Sequence, residues 1–184
     1  YAVYFDGNAD YLTIPNSADF DLGTGDFTIE TWVYISANSA TDAGGGKTAA
    51  IISCYASSTQ GWMLNIGGNA TTTGIGLWLE THNAGTYVNS ATPAISISQT
   101  AWHHITVTRS SGIVRFFLNG TQQGSNLAFT TSLSSGGGQV LIGGTSYSGY
   151  PRYLCGGLHD LRVTKGFARY TSNFTLPKLP LPIK

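Results

Sequence analysis

Short runs of alternating apolar and polar residues recur along the chain, separated by clusters of Gly, Ser and Asn. A period of two marks a strand with two different faces. The clearest case is Phe27 to Ile35 (FTIETWVYI). Phe27, Ile29, Thr31, Val33 and Ile35 share one face there, and Thr28, Glu30, Trp32 and Tyr34 share the other. Val3 to Phe5, the turn Asp6-Gly7-Asn8 and Tyr11 to Pro15 predict an opening strand pair. Thr48 to Tyr55, Gly61 to Ile66, Gly74 to Glu80 and Thr86 to Asn89 predict four more strands, the middle two facing each other across GGNATTT. The strongest hairpin joins Trp102 to Arg109 with Ile113 to Leu118 through Ser110-Ser111-Gly112. Asn119-Gly120 then supplies residues that tolerate positive φ. Gln139 to Ile142 and Leu158 to Thr164 complete the series. Ser36 to Lys47 reads as a loop, and the proline-rich Leu176 to Lys184 as extended chain.

Many short strands and no long helical pattern predict an all-β, two-sheet antiparallel sandwich or jelly roll. The length of 184 residues fits one domain, expected over 1–177, followed by a tail at 178–184. Composition agrees: 23 Thr, 18 Ser and 24 Gly accompany only two Glu and one Met, so helix formers are scarce. The chain opens on Tyr1 without an initiator Met, as expected of a chain cut from a longer one or relieved of a leader.

Charge narrows the function. Only 10% of the residues are Asp, Glu, Lys or Arg, against about 25% in an ordinary domain, and nine cations balance nine anions. A nucleic-acid binder needs a basic stripe, and a polybasic membrane-surface segment needs clustered cations; this chain has neither. No apolar run is long enough to span a bilayer. Cys54 and Cys155 permit one disulfide or two buried thiols, and no CxxC or His/Cys cluster suggests zinc. Three N-x-T triplets, at Asn69, Asn119 and Asn173, matter only in a eukaryotic secreted chain.

Four segments, in order, carry a family likeness: FDGNADYLTIP, GDFTIETWVYI, AWHHITVTRSSGIVRFFLNGTQQG and GGLHDLRVTKGFARYTSNFTLP. From Tyr4 to about Pro177 they resemble the laminin-G-like jelly rolls of the concanavalin A-like lectin/glucanase superfamily. The closing segment, Asp160 to Gly166 with Ala168-Arg169-Tyr170 and Asn173-Phe174, resembles versions carried by structural proteins of tailed bacteriophages. The resemblance implies one concave and one convex antiparallel sheet and a glycan-binding or adhesive role. It also implies a calcium ion in some members and glycosidase activity in a minority.

The residues weigh against hydrolysis. Glycoside hydrolysis needs a carboxyl pair about 5 Å apart, or about 6.5–9.5 Å in inverting enzymes. The glucanase Glu-x-Asp-x-Glu strand is missing, and Glu30 and Glu80 lie in different strands with no acid two residues away from either. No Gly-x-Ser-x-Gly elbow occurs. His103 and His104 are strand neighbours pointing to opposite faces, so they read as structural. No enzyme activity is therefore expected.

For calcium, the resemblance points to Asp6 and Asp160, brought together if the chain ends pair. Asp10, Asp19 and Asp21 are weaker alternatives, and His159 stands where many relatives carry an acid. Otherwise Asp6 caps its own turn and Asp160 pairs with Arg162. For glycans, aromatic faces and planar polar groups are the usual means of recognition. The loop Gly143 to Gly157 offers Tyr147, Tyr150, Arg152 and Tyr153 among Gly and Ser. Trp62, Trp78 and His82, with Tyr55 and Tyr87, are candidates for a concave face, while Trp32 and Trp102 are expected in the core.

The expected role is a non-catalytic lectin-like adhesion module on a virion (tail fibre or capsid decoration) or a cell surface. Its partners would be glycans or surface polysaccharide, neighbouring subunits and copies of itself. A structural self-assembly module without glycan binding is the alternative; a glycoside hydrolase is a third.

Overall fold

The computed structural model describes residues 1–36, 47–68, 75–84, 86–91, 97–98, 101–146 and 152–176. Tyr147, Tyr150, Asn69, most of the loops predicted at 36–47 and 67–73, and the tail from 177 lie outside the described residues.

The described residues form two six-stranded antiparallel sheets. The first has β1 (Val3–Asp6), β12 (Cys155–Lys165), β3 (Phe27–Ile35), β8 (Trp102–Ser110), β9 (Ile113–Leu118) and β10 (Thr121–Ala128), in that spatial order. The second has β2 (Leu12–Ile14), β11 (Gln139–Ile142), β4 (Lys47–Ser57), β5 (Gln60–Gly68), β6 (Gly76–Asn83) and β7 (Thr86–Ala91). One 3-10 turn, Ala18–Phe20, lies between β2 and β3, opened by Ser17.

The alternation seen in the sequence builds the interior. Phe27, Ile29, Val33 and Ile35 of β3 meet Ile105 and Val107 of β8 and Phe116 of β9. Across the gap they face Ile51, Cys54, Trp62, Leu64, Ile66, Leu77, Leu79 and Val140. Each such side chain contributes about 1.5–3 kcal/mol by leaving water. Arg109 is also fully buried; its guanidinium donates to the Gly25, Gly23 and Thr131 carbonyls, which pins the loops at that end.

Three expectations change. Trp32 and Trp102 lie on the outer face of the first sheet, not in the core. Trp32 shares parity with Glu30, and Trp102 stands opposite Tyr34, packing edge-on to Tyr4 at 6.2 Å. Strand β10 was absent from the sequence reading because it is a polar edge strand with a register shift between Gln123 and Leu127, so it lacks apolar alternation. Finally, Cys54 and Cys155 are free and sit in different sheets, opposite Trp62 and Asp6 respectively. Burial pushes the Cys54 thiol up to about 11, so it behaves as a small hydrophobe.

Candidate functional site

Each sheet has an outer face, and the two differ. On the first sheet, Thr28, Glu30, His104, Thr106 and Thr108 point outward yet are buried, because the segment after β12 folds back across them. Thr28 Oγ1 donates to the Phe167 carbonyl and accepts from the Arg169 backbone N–H. Thr108 Oγ1 donates to the Tyr170 carbonyl (2.9 Å), and the Phe174 N–H donates to Gly120 (2.9 Å). Phe174 stacks on Tyr170 with ring centroids 3.6 Å apart and meets Phe117 edge-on.

Beneath this strap, Glu30 is fully buried. Arg162 Nε and Nη2 both donate to its Oε1, the former at 2.9 Å, while the Tyr170 hydroxyl donates to Oε2 at 3.2 Å. His104 Nε2 stands 3.4 Å from Oε2, and Arg169 Nε 4.0 Å from Oε1. Burial pushes this carboxyl up, but the His104 and Arg162 contacts outweigh it and hold it below its ordinary value. Burial, with the Glu30 charge beside it, raises the Tyr170 phenol.

The second sheet's outer face is organised in cross-strand rows. Tyr55, Gly61, His82 and Tyr87 form one row over β4, β5, β6 and β7. His82 lies 4.9 Å from Tyr87 and 5.7 Å from Tyr55, both edge-on. The glycine is needed for space: a Cβ at Gly61 would lie 2.5 Å from the Tyr55 ring. Ser53, Met63, Glu80 and Asn89 form the next row. In the third, Asn65 pairs with Trp78.

One arginine ties these rows together. The Arg152 carbonyl accepts from the Ala50 N–H (2.9 Å), which anchors the residue beside β4. Its side chain crosses the outer face, and Nη1 reaches Asn65 Oδ1 (3.2 Å), Met63 Sδ (3.2 Å) and Glu80 Oε2 (2.9 Å). Trp78 Nε1 donates to the same Glu80 oxygen at 3.0 Å, the Tyr87 hydroxyl lies 3.5 Å from it, and Asn89 Nδ2 donates to that hydroxyl at 2.9 Å. Glu80 is buried, Trp78, His82 and Arg152 are half-buried, and Tyr87 is 48% exposed. The pair cancels its own charge, leaving aromatic rings and planar amides around a neutral, fixed frame.

Of the sequence candidates, Trp78, His82 and Arg152 therefore converge on this face, with Tyr55 and Tyr87. Trp62 does not: it is fully buried between the sheets, its Nε1 donating to the Phe20 carbonyl at 2.9 Å, so neither ring face is open to a ligand. Tyr153 stacks on Tyr11 at 6.3 Å. Asn65, Glu80 and Asn89 also belong to this face and were not among the candidates. For Glu80 and Asn89, parity with Trp78 and Tyr87 in GLWLETH and TYVNS was the available signal.

Strand register keeps the two calcium candidates, Asp6 and Asp160, apart. β1 does pair with β12, but Asp6 stands opposite Cys155, and the pairing runs only as far as Val3 opposite Leu158. Asp160 lies five residues along β12 from Asp6's partner, about 16 Å at strand rise. Asp6 Oδ1 accepts from the Asn8 N–H at 2.6 Å and so caps its turn. Asp160 occupies a left-handed position (φ 58°) inside the register shift of β12, and Arg162 goes to Glu30. Among the described residues, no group of three His, Cys, Asp or Glu side chains could hold a metal. No described helix is long and apolar enough to cross a membrane.

These features define a lectin-like sandwich, and the family comparison agrees. The chain belongs to the Laminin_G_3 family of the concanavalin A-like lectin/glucanases superfamily, whose family model matches residues 6–167. Similar solved structures include a heptameric SAP-like pentraxin from Limulus polyphemus, 20% identical with a TM-score of 0.57, over 88% of this chain and 74% of that one. Domain 4 of the extracellular arabinanase AbnA from Geobacillus stearothermophilus, solved with arabinotriose, is 15% identical with a TM-score of 0.55, over 90% of this chain and 70% of that one. The enzymatically active domain of tailspike protein 2 from bacteriophage CBA120 is 10% identical with a TM-score of 0.55, over 90% of this chain but 29% of that one. At these identities the likeness is one of fold. A search of curated proteins finds no match.

Proposed function

We propose that this chain is a non-catalytic glycan-binding module of a virion surface or an extracellular structure, and that its ligand lies on the outer face of the second sheet. The observation that carries the reading is the in-register row Tyr55, His82 and Tyr87 beside the fixed Glu80–Arg152 pair. The half-buried His82 and exposed Tyr87 rings offer faces to the C–H surface of a sugar, with the buried Tyr55 packed beside them. Asn89 and Arg152 supply planar hydrogen-bonding groups, and the buried Glu80 holds the arginine in one geometry. The cancelled charge suits a neutral sugar better than an acidic one, and the arabinotriose held by the arabinanase domain is such a ligand. Catalysis is not part of the reading. Glu30 and Glu80 stand on opposite outer faces of layers stacked about 10 Å apart, too far for a hydrolytic carboxyl pair. The reading invokes no calcium, so chelator should leave both binding and melting temperature unchanged.

The test is a glycan array on the multivalently displayed chain, repeated with Tyr87→Ala and Arg152→Met. Binding to neutral glycans that both variants lose supports the reading; binding that both retain places the ligand elsewhere. Self-assembly is the second reading, favoured by the exposed β1 edge, where Val3 is 43% and Tyr4 64% exposed. An empty array together with oligomers in sedimentation would establish it instead.

A further inference from the structure

The two sheets part at one edge. β1 pairs only with Cys155–Leu158, so among the described residues no strand flanks Leu161–Lys165 on the side away from β3. β2, on the facing sheet, is three residues long. Between them lies a cavity of about 410 Å³, lined by Ile14, Phe20, Ile52, Ile142, Leu161 and Val163, with Asp19 and Lys165 at its rim. It lies on the interior side of the second sheet, opposite the face that carries Glu80. Its wall is anchored: the Phe20 carbonyl holds Trp62, and Lys165 Nζ donates to the Ala18 carbonyl at 2.7 Å. All six apolar liners belong to or pack against the core cluster, yet most remain half-buried, so water wets apolar surface here.

We infer that this cavity binds a small, uncharged apolar molecule with a hydroxyl at one end, such as a medium-chain alcohol. Size sets the length. At roughly 30 Å³ for each water-sized unit, the cavity takes about a dozen CH₂-sized groups. The rim sets the head group. Asp19 and Lys165 both border the cavity but form no ion pair among the described residues. Asp19 Oδ2 accepts only from Ser17 Oγ (2.9 Å), and the Lys165 ammonium has donors beyond the one used on Ala18. An anionic head would meet Asp19 as well as Lys165, and a cationic head Lys165 as well as Asp19. A hydroxyl donates to the first and accepts from the second.

The test uses the full chain and a neutral polarity-sensitive dye, phenylnaphthylamine, displaced by decanol, decanoate or decylammonium. Decanol should displace the dye at about a tenfold lower concentration than either charged analogue. Lys165→Met should bring decylammonium towards decanol, and Asp19→Asn should do the same for decanoate. Both substitutions are on exposed side chains, and a melting curve checks that each variant folds, since Lys165 also holds the Ala18 carbonyl. Val163→Phe should abolish dye binding, while Tyr87→Ala on the opposite face leaves it unchanged. No dye binding, equal displacement by all three compounds, or loss of dye with Tyr87→Ala would each overturn the proposal. If Val163→Phe does not fold, the two rim variants decide alone. The outcome is independent of the glycan array.

Discussion

The two glutamates sit on the two outer faces, both buried, and their surroundings differ. Glu30 has two arginines, a histidine and a tyrosine around it, and a strap covers the carboxylate. Glu80 has one arginine, one indole and one phenol, and the rings beside it remain partly open. The proposed binding face is thus distinguished by neighbours that stay reachable. Covered and multiply paired, the same residue becomes a structural clamp, whose loss removes a buried counter-charge.

The sharpest way to break the comparison is to neutralise each glutamate in turn. Glu30→Gln removes the buried counter-charge of Arg162, Arg169 and His104 and should cost about 3–5 kcal/mol, read by denaturant unfolding. Phe174→Ala loosens the strap without touching the charges; as a half-buried ring it should cost about 2 kcal/mol. Glu80→Gln should cost only about 1–2 kcal/mol, yet weaken glycan binding about tenfold. A loss as large as that of Glu30→Gln would make Glu80 a second clamp. Tyr87→Ala should change stability by less than about 0.5 kcal/mol while binding falls severalfold.

Acid separates the sites further. Since Glu30 is held below the ordinary value of 4.5, its contribution is fully present above that pH and is lost as the pH falls through the lower folded value. Unfolding free energy should therefore fall with acid in the parent chain and fall less steeply in Glu30→Gln. Equal slopes would show that the clamp does not act through its charge.

Much of the sandwich was legible in the sequence, because period-two alternation states directly which residues face inward. β3 and β9 have the bounds read from FTIETWVYI and IVRFFL. What alternation cannot state is what lies over the other face. Alternation puts Thr28 and Glu30 on the face away from the core, and only the return of Phe167–Phe174 buries them. Trp32 and Trp102 were assigned by bulk rather than by parity, and parity was the better guide. The candidate face was half legible: Trp78, His82 and Arg152 stood out as residue types, but their convergence depends on strand register. Register also keeps Asp6 and Asp160 apart: pairing of the chain ends was expected, and the offset between them was not.

The strap also fixes when the protein can become whole. Glu30 is synthesised early, while Arg162 and Tyr170, which neutralise and cover it, follow 132 and 140 residues later. Until they leave the ribosome, β3 carries an ionised side chain with no cover, and its outer face cannot close. Contacts of such separation slow folding. A nascent chain therefore cannot complete this clamp until Tyr170 emerges, and a product cut short before Arg162 leaves Glu30 without its arginines.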